Sequence, residues 1–278
     1  MTRDIEPHAK RIGRQDKVAT GILTAIVGAV LLLLAAIVIY ILVQGLGTAL
    51  SPGFLTGSPL DREAPGIAFE LFDSFYMLFW ALLISVPLSL GAAIFLVEYA
   101  PDNFLTRAAK MAIETLSSLP SIVVGMFGSL FFVFVMGWGI SILSGALALT
   151  MFNIPILVRV IQQALEDVPK SQRDAALAMG LTRWETTVHV LLPAAMPAIV
   201  TGIVNFASLN LASPTCPWNI FRPAETMAVH IWKLRMEPTP GNDMIAWGTA
   251  AILVLCILLF NVLARVLGKA LARMLTSE

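Results

Sequence analysis

The sequence predicts an all-α integral membrane protein with six transmembrane helices. Of its 278 residues, 58% are hydrophobic and only 13% are charged, whereas soluble domains usually carry about a quarter charged residues. Several apolar runs reach the length of about 20 residues that crosses a hydrocarbon core of about 30 Å. Because backbone polar groups within lipid need internal partners, we expect these runs to be helices.

The first predicted span covers residues 21–43, an anchor of Ile, Leu, Val and Ala that follows a polar tail at residues 1–20. The remaining predicted spans cover residues 68–97, 112–135, 140–157, 188–212 and 245–267. We interpret residues 68–268 as one domain that holds all the spans after the anchor. Residues 269–278 form a short tail.

The distribution of Lys and Arg predicts the topology. If the N-terminus is cytoplasmic, only a few of the 18 Lys and Arg residues fall outside the cell: Arg62, Arg222, Lys233 and Arg235. This asymmetry predicts that both termini are cytoplasmic. It also places the polar stretch at residues 166–193 on the cytoplasmic face.

Composition and motifs argue against several other classes of protein. The formal net charge is zero, so no nucleic-acid footprint is visible. Cys216 and Cys256 lie in different segments without the spacing of a metal or redox site. The chain contains no nucleophile elbow, no His-Glu-x-x-His pair and no Gly-x-x-x-x-Gly-Lys-Ser/Thr loop. We therefore expect no catalytic residues, no metal site and no nucleotide site of its own.

Residues 166–193 form the longest polar interval between two hydrophobic spans. Pro169 suits a first helical turn, and the Ala-rich run after it favours a helix. Gly180 is a candidate helix stop because glycine adopts positive φ without penalty. Thr182 and Glu185 have the spacing of a capping box. The stretch is thus predicted to be a short helix, a glycine turn and a second helix.

Residues at fixed spacing in this stretch resemble the loop motif of ABC importer permeases. The matching positions are Asp174, Ala175, Ala176, Gly180, Val190, Leu192 and Pro193. Asp174 replaces the usual Glu, and Val190 replaces the usual Ile. The resemblance implies a cytoplasmic coupling helix that docks in a groove of a separate ATPase, and we call residues 166–193 the coupling loop.

A second stretch resembles a narrower group of proteins than the loop motif does. Residues 119–128, Leu-Pro-Ser-Ile-Val-Val-Gly-Met-Phe-Gly, together with residues 91–100, resemble the PstA-type permease subunits of phosphate ABC transporters. The resemblance implies a type I ABC importer permease in the prokaryotic inner membrane, and it implies phosphate import. The implied partners are a PstC-like second permease, a PstB-like ATPase dimer and a PstS-like phosphate-binding protein. ATP and Mg²⁺ would then be held by the ATPase and not by this chain.

Candidate residues of the translocation path follow from the same stretch. The hydroxyls of Ser117, Ser118 and Ser121 flank a predicted kink at Pro120, and hydroxyl groups bind an oxyanion without trapping it. The alternative is a packing kink whose hydroxyls bind their own helix backbone.

Other residues complete the set of candidates. Gly125 and Gly128 are predicted to allow close helix packing. Arg159 is expected at the cytoplasmic mouth, where it either draws the anion or pairs with Glu166, or acts only as a positive anchor. Asp73, near the start of the second predicted span, and Glu114, near the start of the third, are ionisable groups for which we favour structural or gating roles.

The resemblance fails after the fifth predicted span. PstA-type permeases continue there into an Arg-x-x-Gly-Glu-Thr-Ala-Pro-Leu segment, whereas residues 205–214 lack the Arg, Gly and Glu. Asn205 is the candidate path residue in this region. A permease for sulfate, molybdate or phosphonate is therefore an alternative, and a membrane scaffold that only anchors partners is a less favoured one.

Overall fold

The computed structural model describes residues 5–58, 65–203, 219–237, 239 and 241–276, and every regular element in this part of the chain is helical. The helices are α1 (Ile5–Ala49), α2 (Ala68–Ile94), α3 (Phe104–Ser117), α4 (Ser121–Gly128), α5 (Ile142–Glu166), α6 (Lys170–Ala178), α7 (Arg183–Thr186), α8 (Leu192–Ile203), α9 (Met227–Met236) and α10 (Asn242–Thr276). Short π-helical segments continue α2 (Phe95–Tyr99) and α4 (Ser129–Val135) and join α7 to α8 (Thr187–Leu191). The all-α prediction is confirmed.

Four helical stretches of the described residues are long and apolar enough to cross a membrane: Lys17–Ala49, Ala68–Tyr99, Ile142–Glu166 and Asn242–Gly268. A bent pair, Phe104–Ser117 with Ser121–Val135, makes a fifth if it is counted as one span. The span predicted at residues 188–212 corresponds to the π-segment and α8, and its end lies outside the described residues. The count of six spans stays a prediction.

The helices after α1 form a bundle in which α2 lies along α5, and α10 packs on α1, α8 and α9. We call the end of the bundle near Tyr99 and Glu166 the coupling end, and the end near Ala68 and Ile142 the far end. At the coupling end, the core contains Ala93, Ile94, Leu96, Leu157, Val158, Ile161, Ala164, Leu165, Val168, Leu191, Ala195 and Ile199. This core joins α2, α5 and α8 directly above the coupling loop.

Helix α1 is longer than the predicted anchor at residues 21–43, because it begins at Ile5 and continues to Ala49. Most of its apolar side chains between Val18 and Val43 are exposed, as expected of a helix surrounded by lipid. Near its end it meets α10 closely. A Cβ added at Gly45 would collide with the carbonyl oxygen of Trp247 in α10.

The third predicted span, residues 112–135, is divided between two helices at the predicted kink. Residues 112–117 belong to α3, and the axis turns by 100° between α3 and α4. Pro120 causes the break because it lacks a backbone N–H and restricts the residue before it; it occupies the N-cap position of α4. None of the residues of α3 is buried within this chain.

The fourth predicted span, residues 140–157, is too short. Helix α5 contains Pro155 and continues without interruption to Glu166. Proline is tolerated within membrane helices when neighbouring groups satisfy the freed carbonyl. The helix ends just before Pro169, which disfavours helical backbone at Val168. The coupling loop therefore begins where the sequence predicts it.

Candidate functional site

The coupling loop has the predicted helix–turn–helix form. Helix α6 ends at Ala178, and Gly180 follows with φ +87°, a left-handed conformation that favours glycine. Thr182 and Glu185 form a reciprocal capping box: the Glu185 N–H donates to Thr182 Oγ1 over 3.2 Å, and the Thr182 N–H donates to Glu185 Oε2 over 2.8 Å. The Thr182 hydroxyl also donates to Glu185 Oε2 over 2.8 Å. The bonds that the carboxylate accepts from the Thr182 N–H and hydroxyl lower the pKa of Glu185 below its ordinary value of 4.5.

The loop presents apolar side chains at its outer surface. Leu177 is 42% exposed, Met179 is 84% exposed and Trp184 is 59% exposed. They flank the glycine turn, and the described residues leave a large part of each side chain uncovered. Large apolar groups exposed together at one place are typical of a protein–protein contact. We call Leu177, Met179 and Trp184 the docking surface.

The two alanines of the coupling motif have different environments. Ala175 is exposed, as is Asp174, whereas Ala176 is buried against its own chain. The Ala176 carbonyl also accepts the Leu181 N–H over 3.3 Å, which closes the turn. Of the two motif alanines, Ala175 is therefore the one available at the surface of the loop, and Ala176 packs within this chain.

The last residues of the motif connect the loop to the core. Val190 and Leu192 are half-buried and Pro193 is buried. Leu191, between them, is fully buried in the core at the coupling end. A displacement of the coupling loop would therefore be transmitted directly to the packed ends of α5 and α8.

Glu98 is a residue that sequence reasoning missed. Its carboxylate accepts a hydrogen bond from Arg173 Nη2 over 2.5 Å, and its carbonyl accepts one from Arg183 Nη1 over 3.5 Å. Glu98 belongs to the π-helical end of α2, so these contacts attach the coupling loop to another span. The sequence gives no signal for this pairing, because the partners are far apart in the chain.

The serines of the candidate path do not share one arrangement. Ser117 Oγ donates to the Glu114 carbonyl over 2.8 Å, and Ser118 Oγ donates to the Thr115 carbonyl over 2.7 Å. Both hydroxyls thus bind their own helix, which is the alternative that the sequence left open. Ser121 is exposed at the first position of α4.

The two glycines of this region differ as well. A Cβ at Gly128 would lie 2.5 Å from the Ala148 Cβ of α5, so Gly128 permits a close helix contact as predicted. A Cβ at Gly125 would meet nothing within 4 Å. The packing role predicted for Gly125 therefore has no counterpart among the contacts of the described residues.

Arg159 is exposed and pairs with Glu114, with Nη2 and Oε1 3.4 Å apart. The predicted alternative partner, Glu166, instead accepts a hydrogen bond from Gln162 Nε2 over 2.9 Å. The expected pairing with Glu166 is wrong because Gln162 is one helical turn from Glu166 on the same face. Asn205 lies outside the described residues.

A buried polar cluster at the far end was only partly foreseen. His230 Nδ1 lies 3.3 Å from Glu225 Oε1 and 3.6 Å from Glu70 Oε1, and Lys233 Nζ lies 3.3 Å from Glu225 Oε2. Asp73 accepts the Glu225 N–H over 3.2 Å. The cluster fixes the start of α9 to the first turns of α2, consistent with a structural or gating role for Asp73.

No group of His, Cys, Asp and Glu side chains among the described residues has the arrangement of a metal site. The site is a helical loop with an exposed apolar surface that joins α5 to α8 and contacts the π-helical end of α2.

Comparison with known proteins identifies the family. A family model described as "Binding-protein-dependent transport system inner membrane component" matches residues 85–276, which include the coupling loop. The chain belongs to this family. Its relatives are permease subunits of ABC transporters, which are not themselves enzymes.

Individual relatives agree with this membership. The chain is 42% identical over 288 residues to the Bacillus subtilis (strain 168) protein named "Probable ABC transporter permease protein YqgI", covering 95% of this chain and 98% of the relative. It is 32% identical over 225 residues to the phosphate transport system permease protein PstA of Yersinia pestis, covering 75% of this chain and 74% of the relative.

Solved structures show the same fold. An inward-facing conformation of the MetNI methionine ABC transporter matches with a TM-score of 0.53 and 17% identity, covering 84% of this chain and 96% of that chain. A bacterial ABC transporter involved in the import of alginate matches with a TM-score of 0.54 and 13% identity, covering 76% and 80%. The fold is that of type I ABC importer permeases.

As a member of this family, the protein is a multi-pass permease subunit of an ABC importer in the inner membrane. The family works with an ATPase that supplies energy and a binding protein that delivers the solute. The docking surface and the contacts of Glu98 are the features of this permease that such an ATPase could act upon.

Proposed function

We propose that this chain is the PstA-like permease subunit of a phosphate importer. The observation that carries the proposal is its 32% identity with the PstA protein of Yersinia pestis over about three quarters of both chains. The stretch Leu119–Gly128, which the sequence alone associates with phosphate permeases, lies within the family match and supports the same substrate.

The coupling loop is the proposed contact with the ATPase. Its exposed Leu177, Met179 and Trp184 would enter the groove of one subunit of a PstB-like dimer, and Asp174 and Ala175 border the same contact. ATP and Mg²⁺ would be bound by that dimer. The positive-inside distribution of Lys and Arg supports this arrangement, because it predicts a cytoplasmic loop and cytoplasmic termini.

A PstC-like second permease is the proposed partner within the membrane. Helix α4 and its π-helical extension expose a row of apolar side chains in this chain, among them Ile122, Met126, Phe127, Leu130 and Phe134. A second permease placed against them would complete a pore of which this chain forms half. A PstS-like binding protein would deliver phosphate at the far end.

The translocation path is proposed along the bend between α3 and α4. Ser121 is the strongest candidate there, because it is exposed and follows the break at Pro120. Ser117 and Ser118 would act only if their hydroxyls turned away from their own helix. Arg159 would act near the coupling end, where it is half-exposed beside Glu114, and Asn205 remains a candidate from the sequence.

Transport assays with the assembled complex test this function. The permease is purified with its partners, reconstituted into proteoliposomes with ATP inside, and supplied with binding protein and radiolabelled phosphate, sulfate or molybdate, or with a phosphonate. The proposal predicts ATP-dependent uptake of phosphate above the other anions. Uptake of another oxyanion in preference to phosphate would assign the alternative substrate. Partners that assemble without any uptake would favour the scaffold.

A further inference from the structure

Glu98 contacts both arms of the coupling loop. The Arg173 guanidinium, from α6 before the turn at Gly180, donates to its carboxylate, and the Arg183 guanidinium, after the turn, donates to its carbonyl. A single residue at the end of α2 thus holds the helix–turn–helix unit on both sides of its turn.

The Glu98–Arg173 ion pair is more buried than the other ion pairs near it. The Glu98 side chain is 7% exposed and the Arg173 side chain is 27% exposed. The neighbouring pair Arg107–Asp102 is 71% and 91% exposed, with 3.5 Å between its charged atoms. Exposed ion pairs contribute little to stability. Removing one partner of a buried pair costs more, because the remaining charge is left buried without compensation. The Glu98 contact is therefore the stronger constraint.

Helix α2 can carry a movement of the loop through the bundle. Its end is a π-helical segment, Phe95–Tyr99, an irregularity that is frequent at functional sites. Ala93, Ile94 and Leu96 of this end are packed in the core with α5. From Ala68 to Tyr99 the helix extends about 48 Å at a rise of 1.5 Å per residue, and its other end bears Glu70 and Asp73 of the buried cluster.

We propose that Glu98 is a positioning residue that couples the ATPase to the transport path: it fixes the coupling loop to α2, so that displacement of the loop moves this span. The proposal rests on the proposed function, because it requires an ATPase that displaces the loop. It differs from a purely structural role, in which loss of Glu98 would reduce assembly, ATP hydrolysis and transport together.

The distinguishing quantity is the number of phosphate ions transported per ATP hydrolysed by the reconstituted complex. We compare the wild-type permease with Glu98→Gln, Arg173→Gln and the charge exchange Glu98→Arg with Arg173→Glu. Asp102→Asn is the matched control, because it removes the carboxylate of the exposed pair on the next loop. Each complex is first quantified by co-purification with its ATPase.

We expect the single variants to assemble and hydrolyse ATP while the transport ratio falls about tenfold, a typical size for a coupling free energy between sites. The charge exchange should restore much of the ratio, and Asp102→Asn should leave it unchanged. An unchanged ratio in Glu98→Gln, or an equal fall in Asp102→Asn, would overturn the proposal. If Glu98→Gln does not assemble, the milder Arg173→Lys decides by the same ratio.

The proposed function fails in a different way. If the wild-type complex lacks an ATPase or transports no phosphate, the function is wrong before any variant is compared. If the wild type transports another oxyanion, the ratio is measured with that anion, and the role of Glu98 is tested unchanged.

Discussion

At the residue scale, the same amino acid has different roles that only the packing reveals. Gly180 could be predicted from sequence, because a helix-favouring run before it and a capping box after it require a turn there. Gly128 and Gly125 could not be distinguished, since both follow Pro120 in one apolar run. The structure separates them: Gly128 lies against Ala148 of α5, and Gly125 faces open space.

We predict that Gly128→Ala destabilises the protein and Gly125→Ala does not. The new methyl group at position 128 would lie 2.5 Å from the Ala148 Cβ, and such overpacking typically costs about 1–3 kcal/mol. At position 125 the methyl group meets nothing, and replacing a helical glycine favours the helix by up to about 1 kcal/mol. Thermal unfolding of both variants in detergent checks this. Equal melting temperatures would contradict the assigned contact.

The buried cluster at the far end gives a second prediction at this scale. His230→Ala removes the ring that lies 3.3 Å from Glu225 Oε1 and 3.6 Å from Glu70 Oε1, so both buried carboxylates lose this partner, and leaving a buried polar group without its partner typically costs about 1–3 kcal/mol. His189→Ala is the control, because its ring is exposed and bonds only the Glu185 carbonyl of its own helix. We expect a clear fall in unfolding temperature for His230→Ala alone. A similar fall in unfolding temperature for both variants would show that the buried cluster contributes no more to stability than an exposed histidine does.

At the element scale, the coupling loop and a kink at Pro120 were predictable, but the size of that kink was not. Helix caps and turns depend on neighbours within a few residues, so Gly180, Thr182 and Glu185 are sufficient to specify the loop. The apolar run at residues 112–135 is continuous in composition, and nothing local indicates a turn as large as 100° at Pro120. The direction of such a break depends on how α3 and α4 pack on α5.

The capping box predicts how the loop responds to pH. Hydrogen bonds from Thr182 lower the pKa of Glu185, so the ionised carboxylate stabilises the folded loop. This contribution is present above the ordinary pKa of 4.5 and is lost as the pH falls through the lower folded value. Hydrogen exchange of residues 182–191 should show stronger protection in the wild type than in Glu185→Gln at neutral pH. The difference should disappear in acid, after correction for the intrinsic exchange rate.

A difference that persists below the folded pKa, or one that is absent at neutral pH, would contradict this account of the capping box. Thr182→Ala provides the complementary control. It removes the hydroxyl that receives the Glu185 N–H, and it should raise exchange at this amide roughly fivefold at neutral pH.

At the scale of the whole molecule, the sequence was sufficient to predict the class of protein but not the side-chain contacts between its helices. Apolar runs and the coupling motif indicate a membrane permease because both are local patterns. The contact of Glu98 with Arg173 joins positions 75 residues apart, and the approach of His230 to Glu70 joins α9 to α2. Such contacts depend on how the spans pack, which a single sequence without relatives does not specify.

The central proposal at this scale is that the coupling loop of the permease contacts a separate ATPase on the cytoplasmic side. Cysteine crosslinking tests it most directly. In a background with Cys216→Ser and Cys256→Ser, the variant Met179→Cys places a thiol on the docking surface, and Trp232→Cys places one on α9 at the far end as the matched control. Both native residues are exposed in this chain.

We predict that the thiol at position 179 is labelled only from the cytoplasmic side of oriented membranes and crosslinks to an ATP-hydrolysing subunit. The thiol at position 232 should be labelled from the outside and capture no ATPase. Labelling of position 179 from the outside, or no crosslink to an ATPase in a complex that transports, would contradict the account.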